Sequence, residues 1–327
     1  MARAANGPPN KNQTPRFMRL PRLPSIVALV VACSVPSMAW AATGDGVAWW
    51  VWPLALFVVT FLLGIVAVLG GVGGGVLFVP IVGGFFPFHL DFVRGAGLML
   101  ALSGALSAGP GLLRSGMASL RLAMPLALVG SITSIAGAMV GLALPTNVVQ
   151  VALGVTILAI AALMWSAKKS ELPEIGPPDA LAQALHLNGI FHDAASRHDV
   201  RWHVHRTPLG LVMFAGIGFM AGMFGLGAGW ANVPVLNLLM GAPLKVSVST
   251  SSFLLTVVDT SAAWVYINRG AVLPMLMVPS ILGVMLGAKI GGKLLRTTKA
   301  STVRKIVIGL LLLSGARAFL KGTGIWN

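Results

Sequence analysis

The sequence predicts an all-α polytopic membrane protein, built from two inverted repeats of about five transmembrane segments each, with helices broken at glycine and proline. Three observations predict it. The chain is too apolar to cover itself with polar surface: 56% of its 327 residues are hydrophobic and 9% are charged, against about 25% charged in an ordinary soluble domain. Apolar stretches of span length recur along the whole chain. One half also repeats the glycine and proline pattern of the other at a constant offset.

Taken in order, residues 1–24 are polar and basic, with Arg3, Lys11, Arg16, Arg19 and Arg22, and residues 26–35 are apolar. Ala39-Trp40-Ala41-Ala42 follows as a small-residue run. This pattern over 1–42 reads as a signal peptide or as an uncleaved signal anchor. Both readings put residue 43 outside the cytoplasm.

A helix rising about 1.5 Å per residue needs about 20 apolar residues to cross the hydrocarbon core. Candidates lie at 50–69, 72–87, 95–113, 122–142, 148–166, 209–223, 226–241, 250–268, 271–288 and 305–320. The segments 72–87 and 226–241 are short and rich in Gly and Pro. They are read as full spans or as broken, re-entrant ones.

The net charge of +15 is read by position, because Lys and Arg concentrate in cytoplasmic loops. No nucleic-acid partner is inferred from it. With ten full spans, the cytoplasmic side collects Arg114, Arg121, Lys168, Lys169, Arg197, Arg201, Arg206, Lys245 and the cluster from Lys289 to Lys305. The outside keeps Arg94, Arg269, Arg317 and Lys321. The organisation expected is a first transmembrane repeat over 43–166, a cytoplasmic linker over 167–207 and a second repeat over 208–327.

The linker holds five of the six histidines. Pro178–Leu187 reads as a short helix, and Val200–Val204 alternates like a strand. His192, Asp193, His198, Asp199, His203 and His205 follow no ligand spacing that would define a metal site, so none is assigned. The one cysteine, Cys33, excludes a disulfide framework or a Cys-based metal site within one chain. No cofactor is implied.

Sliding the chain on itself by 154 residues lays Gly71-Val72-Gly73-Gly74-Gly75 on Gly225-Leu226-Gly227-Ala228-Gly229, and Val79-Pro80 on Val233-Pro234. Leu90 then meets Leu244, Leu100 meets Leu254, and Pro125 meets Pro279. Five spans per half is an odd number, so the second copy enters the membrane in the opposite sense. Inverted repeats of this kind mark secondary transporters.

The glycines have two readings. One is close backbone packing. The other is a helix break, whose free N–H groups and positive dipole end would hold an anion. On the second reading the candidate substrate-binding residues are Gly71, Gly73, Gly74, Gly75 and Pro80 in the first half. In the second they are Gly225, Gly227, Gly229, Asn232 and Pro234. Ser249, Thr250, Ser251 and Ser252 would cap a helix or donate to an oxyanion.

Asp259 is the only acidic residue deep in a predicted span, and its repeat counterpart is Ala105. It reads as a coupling-proton carrier or as a structural carboxyl bonded to Thr256 or Ser261. Arg94, with His89 and Asp91, is placed at an outer mouth as a gating cation that draws anions in. An enzyme is disfavoured, since no histidine lies inside a predicted span and Asp259 stands alone there.

On these residues the sequence resembles the TauE/SafE sulfite-exporter family, over about residues 55–320. The resemblance rests on the two Gly–Pro motifs and on Ser249-Thr250-Ser251, where the family tends to show G-T-S. Arg114-Ser115-Gly116 and Asn268-Arg269-Gly270 add to it. It implies export or uptake of sulfur-containing anions such as sulfite, sulfonates or thiosulfate, or of other organic anions. Two departures stand out: Gly95-Ala96-Gly97 replaces a G-T-S-like run in the first half, and the central loop is long.

The expectation is therefore a multi-pass secondary transporter of the bacterial inner membrane. Its partners would be a small anion and the lipid bilayer, with proton coupling and homodimerisation left open. An anion channel on the same scaffold, or a sensor acting through the central loop, are the alternatives.

Overall fold

The computed structural model describes residues 50–70, 73–114, 118–166, 177–193, 198–294 and 300–324. The leader read over 1–42 lies outside these residues, as do Gly71, Ser115 and Gly116. The first half contains α1 (Val51–Gly70), α2 (Gly74–Phe85), α3 (Leu90–Arg114), α4 (Leu120–Ala143) and α5 (Thr146–Ser166). A short helix α6 (Ala180–Ala184) and a hairpin of β1 (Asn188–Asp193) and β2 (His198–His203) follow. The second half contains α7 (Thr207–Phe224), α8 (Gly229–Pro234), a π-helical segment (Val235–Leu239), α9 (Leu244–Asn268), α10 (Pro274–Leu294) and α11 (Ala300–Gly322).

Local chemistry sets these boundaries. Pro208 occupies the first turn of α7, where its missing N–H costs nothing. Gly225 ends the same helix in the left-handed conformation, with φ of 68°. Its N–H donates to the Ala221 carbonyl at 3.0 Å. Ser119 caps α4 by accepting from the Leu122 N–H at 3.4 Å.

Among the described residues, four helices are long and apolar enough to cross a membrane: Leu120–Ala143, Thr146–Trp165, Thr207–Phe224 and Pro274–Gly291. Val51–Ala67 and Gly74–Phe85 are apolar but shorter. The outward faces are apolar too. On α4, Met124, Leu128 and Ile132 form an exposed stripe one helical turn apart, and on α10 so do Val278, Leu282 and Leu286. In water such stripes would be a liability. Against lipid chains they cost nothing.

The 154-residue offset recurs in the helix ends. α3 and α9 begin and end 154 residues apart, and α10 and α11 begin 154 residues after α4 and α5. The two exposed stripes are also related by that offset. Packing follows the same rule. The broadest helix contacts are α1 on α10 and α4 on α7, which are repeat counterparts of one another. Gly64 of α1 lies on the Val284 backbone and its counterpart, Gly218 of α7, lies on Gly130. The absence of Cβ atoms lets both backbone pairs approach closely. The pairs α3–α9 and α5–α11 also join counterparts.

Two of the segments read as candidate spans are much shorter than a bilayer. α2 has 12 residues, which is about 18 Å of helix against a hydrocarbon core of about 30 Å. α8 has 6 residues and the π-helical segment 5. Pro80, read as breaking or kinking its segment, does not end the helix: α2 runs through it to Phe85. At Pro234 the helix does change, from α to π. Each proline removes one backbone donor, but only the second half relaxes by widening the turn.

The linker is folded onto the helices. The short helix read over Pro178–Leu187 is α6, and the alternation at Val200–Val204 falls on β2. The strands pair antiparallel, Asn188 opposite His203 and His192 opposite Asp199. Leu187, Trp202 and Val204 are buried in one cluster with Leu122, Leu236, Met240 and Ala242. The His205 N–H donates to the Met240 carbonyl at 3.0 Å, and the Thr207 hydroxyl donates to Asp179 at 2.8 Å.

Candidate functional site

The two glycine motifs meet. A Cβ on Gly75 would lie 2.6 Å from the Leu226 carbonyl oxygen and 2.9 Å from that of Gly97. A Cβ on Gly97 would lie 2.5 Å from the Gly225 carbonyl oxygen. The turn Gly225-Leu226-Gly227 of the second half therefore lies across α2 and α3 of the first, at van der Waals distance backbone to backbone. Gly225 and Gly227 have φ of 68° and 71°, the left-handed region that favours glycine. Gly229 closes the crossing, since its Cβ position is 3.9 Å from the Gly73 Cα.

Gly73 differs from its neighbours. It is the N-cap residue of α2, it offers no side-chain cap, and nothing lies within 4 Å of where its Cβ would be. The Val76 N–H donates to the Gly73 carbonyl at 3.1 Å, which leaves the N–H groups of Gly74 and Gly75 without intrahelical partners. Gly74 packs differently, on the Val284 side chain at 3.1 Å. The opposite end of α2 is tied down by cations. Arg317 Nε donates to the Gly84 carbonyl at 2.8 Å and Lys321 Nζ to that of Gly83 at 3.3 Å. Positive charge there complements the negative end of the helix dipole.

Around this crossing sit buried polar groups without partners. Asn232 of α8 is fully buried, and neither its oxygen nor its nitrogen is hydrogen-bonded. Trp230 Nε1 is likewise buried and unbonded. Asp259 of α9 is fully buried, and its Oδ2 lies 2.9 Å from the Cβ position of Gly227. It bonds to neither hydroxyl considered for it. Thr256 donates to the Phe253 carbonyl at 2.7 Å and Ser261 to that of Val257 at 3.0 Å.

The other candidates are placed as follows. Ser249 and Ser252 donate back into their own helix, to the carbonyls of Lys245 at 2.9 Å and Val248 at 3.2 Å. The Thr250 oxygen accepts from the Ser119 N–H at 3.0 Å, joining α9 to the start of α4. Ser251 is buried. Asn237 and Ser247 both donate to the Ala242 carbonyl, at 2.9 and 3.1 Å, and hold the end of the π-helical segment. Pro80 and Pro234 lie within α2 and at the end of α8. The hydroxyl run is thus built into helix packing, while Gly75, Gly97, Gly225 and Gly227 form the crossing, with Asp259 beside Gly227.

Arg94 is not a free cation at a mouth. It is 1% exposed and pairs with Asp91. Its Nη1 donates to the carbonyls of Gly141 at 3.0 Å and Met223 at 2.9 Å. The Tyr266 hydroxyl donates to the Gly222 carbonyl at 2.9 Å, and the Tyr266 ring lies 5.9 Å from the guanidinium. Together they satisfy the last carbonyls of α7, just before the Gly225 turn. A cavity of about 490 Å³ lies beside them, lined in part by His89, Asp91, Leu142, Arg269 and Gly270.

Sequence reasoning missed Gly97, Tyr266 and the roles of Arg317 and Lys321. A signal was present for the last two, which the charge distribution sets among the few cations expected on the outer side. Among the described residues, no group of three or more His, Cys, Asp or Glu is arranged to hold a metal ion.

Comparison with known proteins identifies the family. The family model described as "Sulfite exporter TauE/SafE" matches residues 56–318. The "Probable membrane transporter protein ORF9" of Sinorhizobium sp is 26% identical over 257 residues, which is 77% of this chain and 87% of that protein. The "Probable membrane transporter protein YunE" of Bacillus subtilis (strain 168) is 27% identical over 118 residues, or 36% of this chain and 43% of that protein. The chain thus spans less than half of the Bacillus relative's length. No solved structure matches.

Proposed function

The chain belongs to the sulfite exporter TauE/SafE family, and we propose that it is a secondary transporter carrying small sulfur-containing or organic anions across the bacterial inner membrane. The observation that carries this reading is the room at Gly73, whose Cβ position meets nothing within 4 Å among the described residues, at an uncapped helix start inside the crossing of the two halves. Backbone N–H groups at a helix start favour an anion, and the cations at the far end of α2 leave its positive end unopposed.

The exchange of packing partners between halves supports alternating access. Each half presents its first helix to the other's fourth, the kind of pairing that an exchange of conformations between repeats would use. Odd numbers of crossings per half would make the repeats inverted. Export is the direction the family description favours. The family and the relatives' names indicate transport rather than catalysis.

The test is flux. Purified protein reconstituted in vesicles is loaded with sulfite, thiosulfate, sulfate, taurine or lactate, and efflux is followed. Gly73→Leu, which fills that room, is expected to abolish flux while the protein still inserts. Normal flux in this variant, or equal flux in protein-free vesicles, would sink the proposal. An anion present at about 100 times its Kd should also raise stability by about 2.7 kcal/mol.

A further inference from the structure

Beside the proposed anion site lies a second group of negative charge. Asp259 faces Gly227 across the crossing, fully buried, and neither carboxyl oxygen has a hydrogen-bond partner among the described residues. The Ala228 N–H is a backbone group that interacts with the carboxyl. Thr256, Thr260 and Ser261, its nearest hydroxyls in sequence, all donate to backbone carbonyls of α9.

The elements packed around it supply no counter-charge. On α3, Arg94 stands two turns from Ala101, the residue that meets Gly227, and is paired with Asp91. Arg114 closes α3, and Arg121 opens α4. α7 and α8 carry no ionisable side chain. α9 itself adds Lys245 at its start and Tyr266, whose hydroxyl is spent on Gly222. The repeat counterpart Ala105 is apolar, so the charge belongs to one half only.

An ionised carboxylate buried without partners is costly. A substrate anion arriving at the same crossing makes it more so, because repulsion is weakly screened there. A metal cation would relieve it but needs several oxygen ligands at once. The nearby carbonyls of Gly225 and Leu226 are turned onto Gly97 and Gly75, and the hydroxyls are engaged. A proton needs one carboxylate oxygen alone.

We propose that Asp259 is the coupling-proton site of the transporter. Its carboxylate takes a proton from solvent, forming an O–H bond at one oxygen, in the state that binds the anion. It returns that proton when the anion leaves. One proton accompanies each anion. This rests on the reading of the glycine crossing as the anion site.

The experiment uses the full chain in detergent, sodium-free, with thiosulfate and methanesulfonate as probes because their charge is constant across the working range. Calorimetric titration in buffers of different ionisation heat counts protons taken up per anion between about pH 5.5 and 8.5. On the alkaline side of the Asp259 titration the wild type is expected to take up about one proton per anion, with Kd weakening about tenfold per pH unit. Asp259→Asn is expected to bind with no proton uptake and a flat pH profile. Binding by the wild type without uptake, or uptake retained in Asp259→Asn, overturns the coupling alone. Failure of the wild type to bind either probe overturns the anion reading and the coupling with it. Should Asp259→Asn not fold, the wild-type proton count decides.

Discussion

Arg317 donates from Nε to the Gly84 carbonyl at 2.8 Å while its guanidinium lies 4.0 Å from the Phe85 ring centroid. One side chain on α11 thus satisfies an end carbonyl of α2 and covers the aromatic residue that follows. The consequence reaches the other end of the helix. A short helix whose start is uncapped holds its position only if its end is fixed. Arg317→Ala is expected to cost about 1–3 kcal/mol through the unpaired carbonyl and the lost ring contact. Lys321→Ala alone should cost less. Thermal unfolding of both variants in detergent measures this, and an unchanged Arg317→Ala midpoint would remove the clamp from the account.

Arg94 is assigned a structural role, and that assignment separates two kinds of loss. Its guanidinium joins Asp91 on α3, Gly141 on α4 and Met223 on α7. Arg94→Ala removes a buried cation from a partly exposed Asp91 and frees two carbonyls, at a cost of about 1–3 kcal/mol for each carbonyl left unsatisfied. Arg94→Lys keeps the charge without the planar fork and should lose a large part of that stability. Both should reduce the yield of folded protein. A variant that folded normally but lost flux would return Arg94 to the role of an anion-gathering cation.

The contrast between these two arginines shows what was legible in the sequence. Helix positions and the repeat were legible because apolar length and glycine spacing are properties of the local backbone. α3 and α9 recur at the offset that the glycine motifs define. The meeting of the two motifs was partly legible, since left-handed turns such as Gly225 and Gly227 demand glycine. Burial of a cation was not, because Arg94 owes its place to carbonyls on two helices distant in sequence. Ser249 and Thr250 look like anion donors in sequence, and only the tertiary fold shows them bonded to backbone. The π-helical segment after Pro234 was also hidden. Pro80 stands in the same local pattern and its helix stays α.

Gly97 explains the missing hydroxyls of the first half. Its repeat counterpart is Ser251, yet a Cβ at 97 would press on the Gly225 carbonyl and on Val79. Restoring the motif by Gly97→Ser is therefore expected to destabilise the protein by about 1–3 kcal/mol through overpacking and to stop flux. Gly104→Ser on the same helix meets nothing within 4 Å and should be neutral in both. Flux and unfolding of the pair measured side by side test the interlock, and equal behaviour of the two would refute it.

The folded linker makes the last expectation. Trp202 is 6% exposed and packs with Met240 and Ala242 at the end of the π-helical segment. Just beyond that segment, the Ala242 carbonyl accepts from both Asn237 and Ser247. Removing the indole by Trp202→Ala should cost about 3–5 kcal/mol if the hairpin unfolds together with the helices. If the hairpin instead opens alone, the global midpoint will hold and only the hairpin amides will lose hydrogen-exchange protection. The docking contacts favour the first outcome, because the His205 N–H is bonded to Met240 and the start of α7 to Asp179. A drop in the global midpoint, with exchange rising in the hairpin and the π-helical segment together, would make the linker part of the second half's fold. Loss confined to the hairpin would reduce it to an appendage.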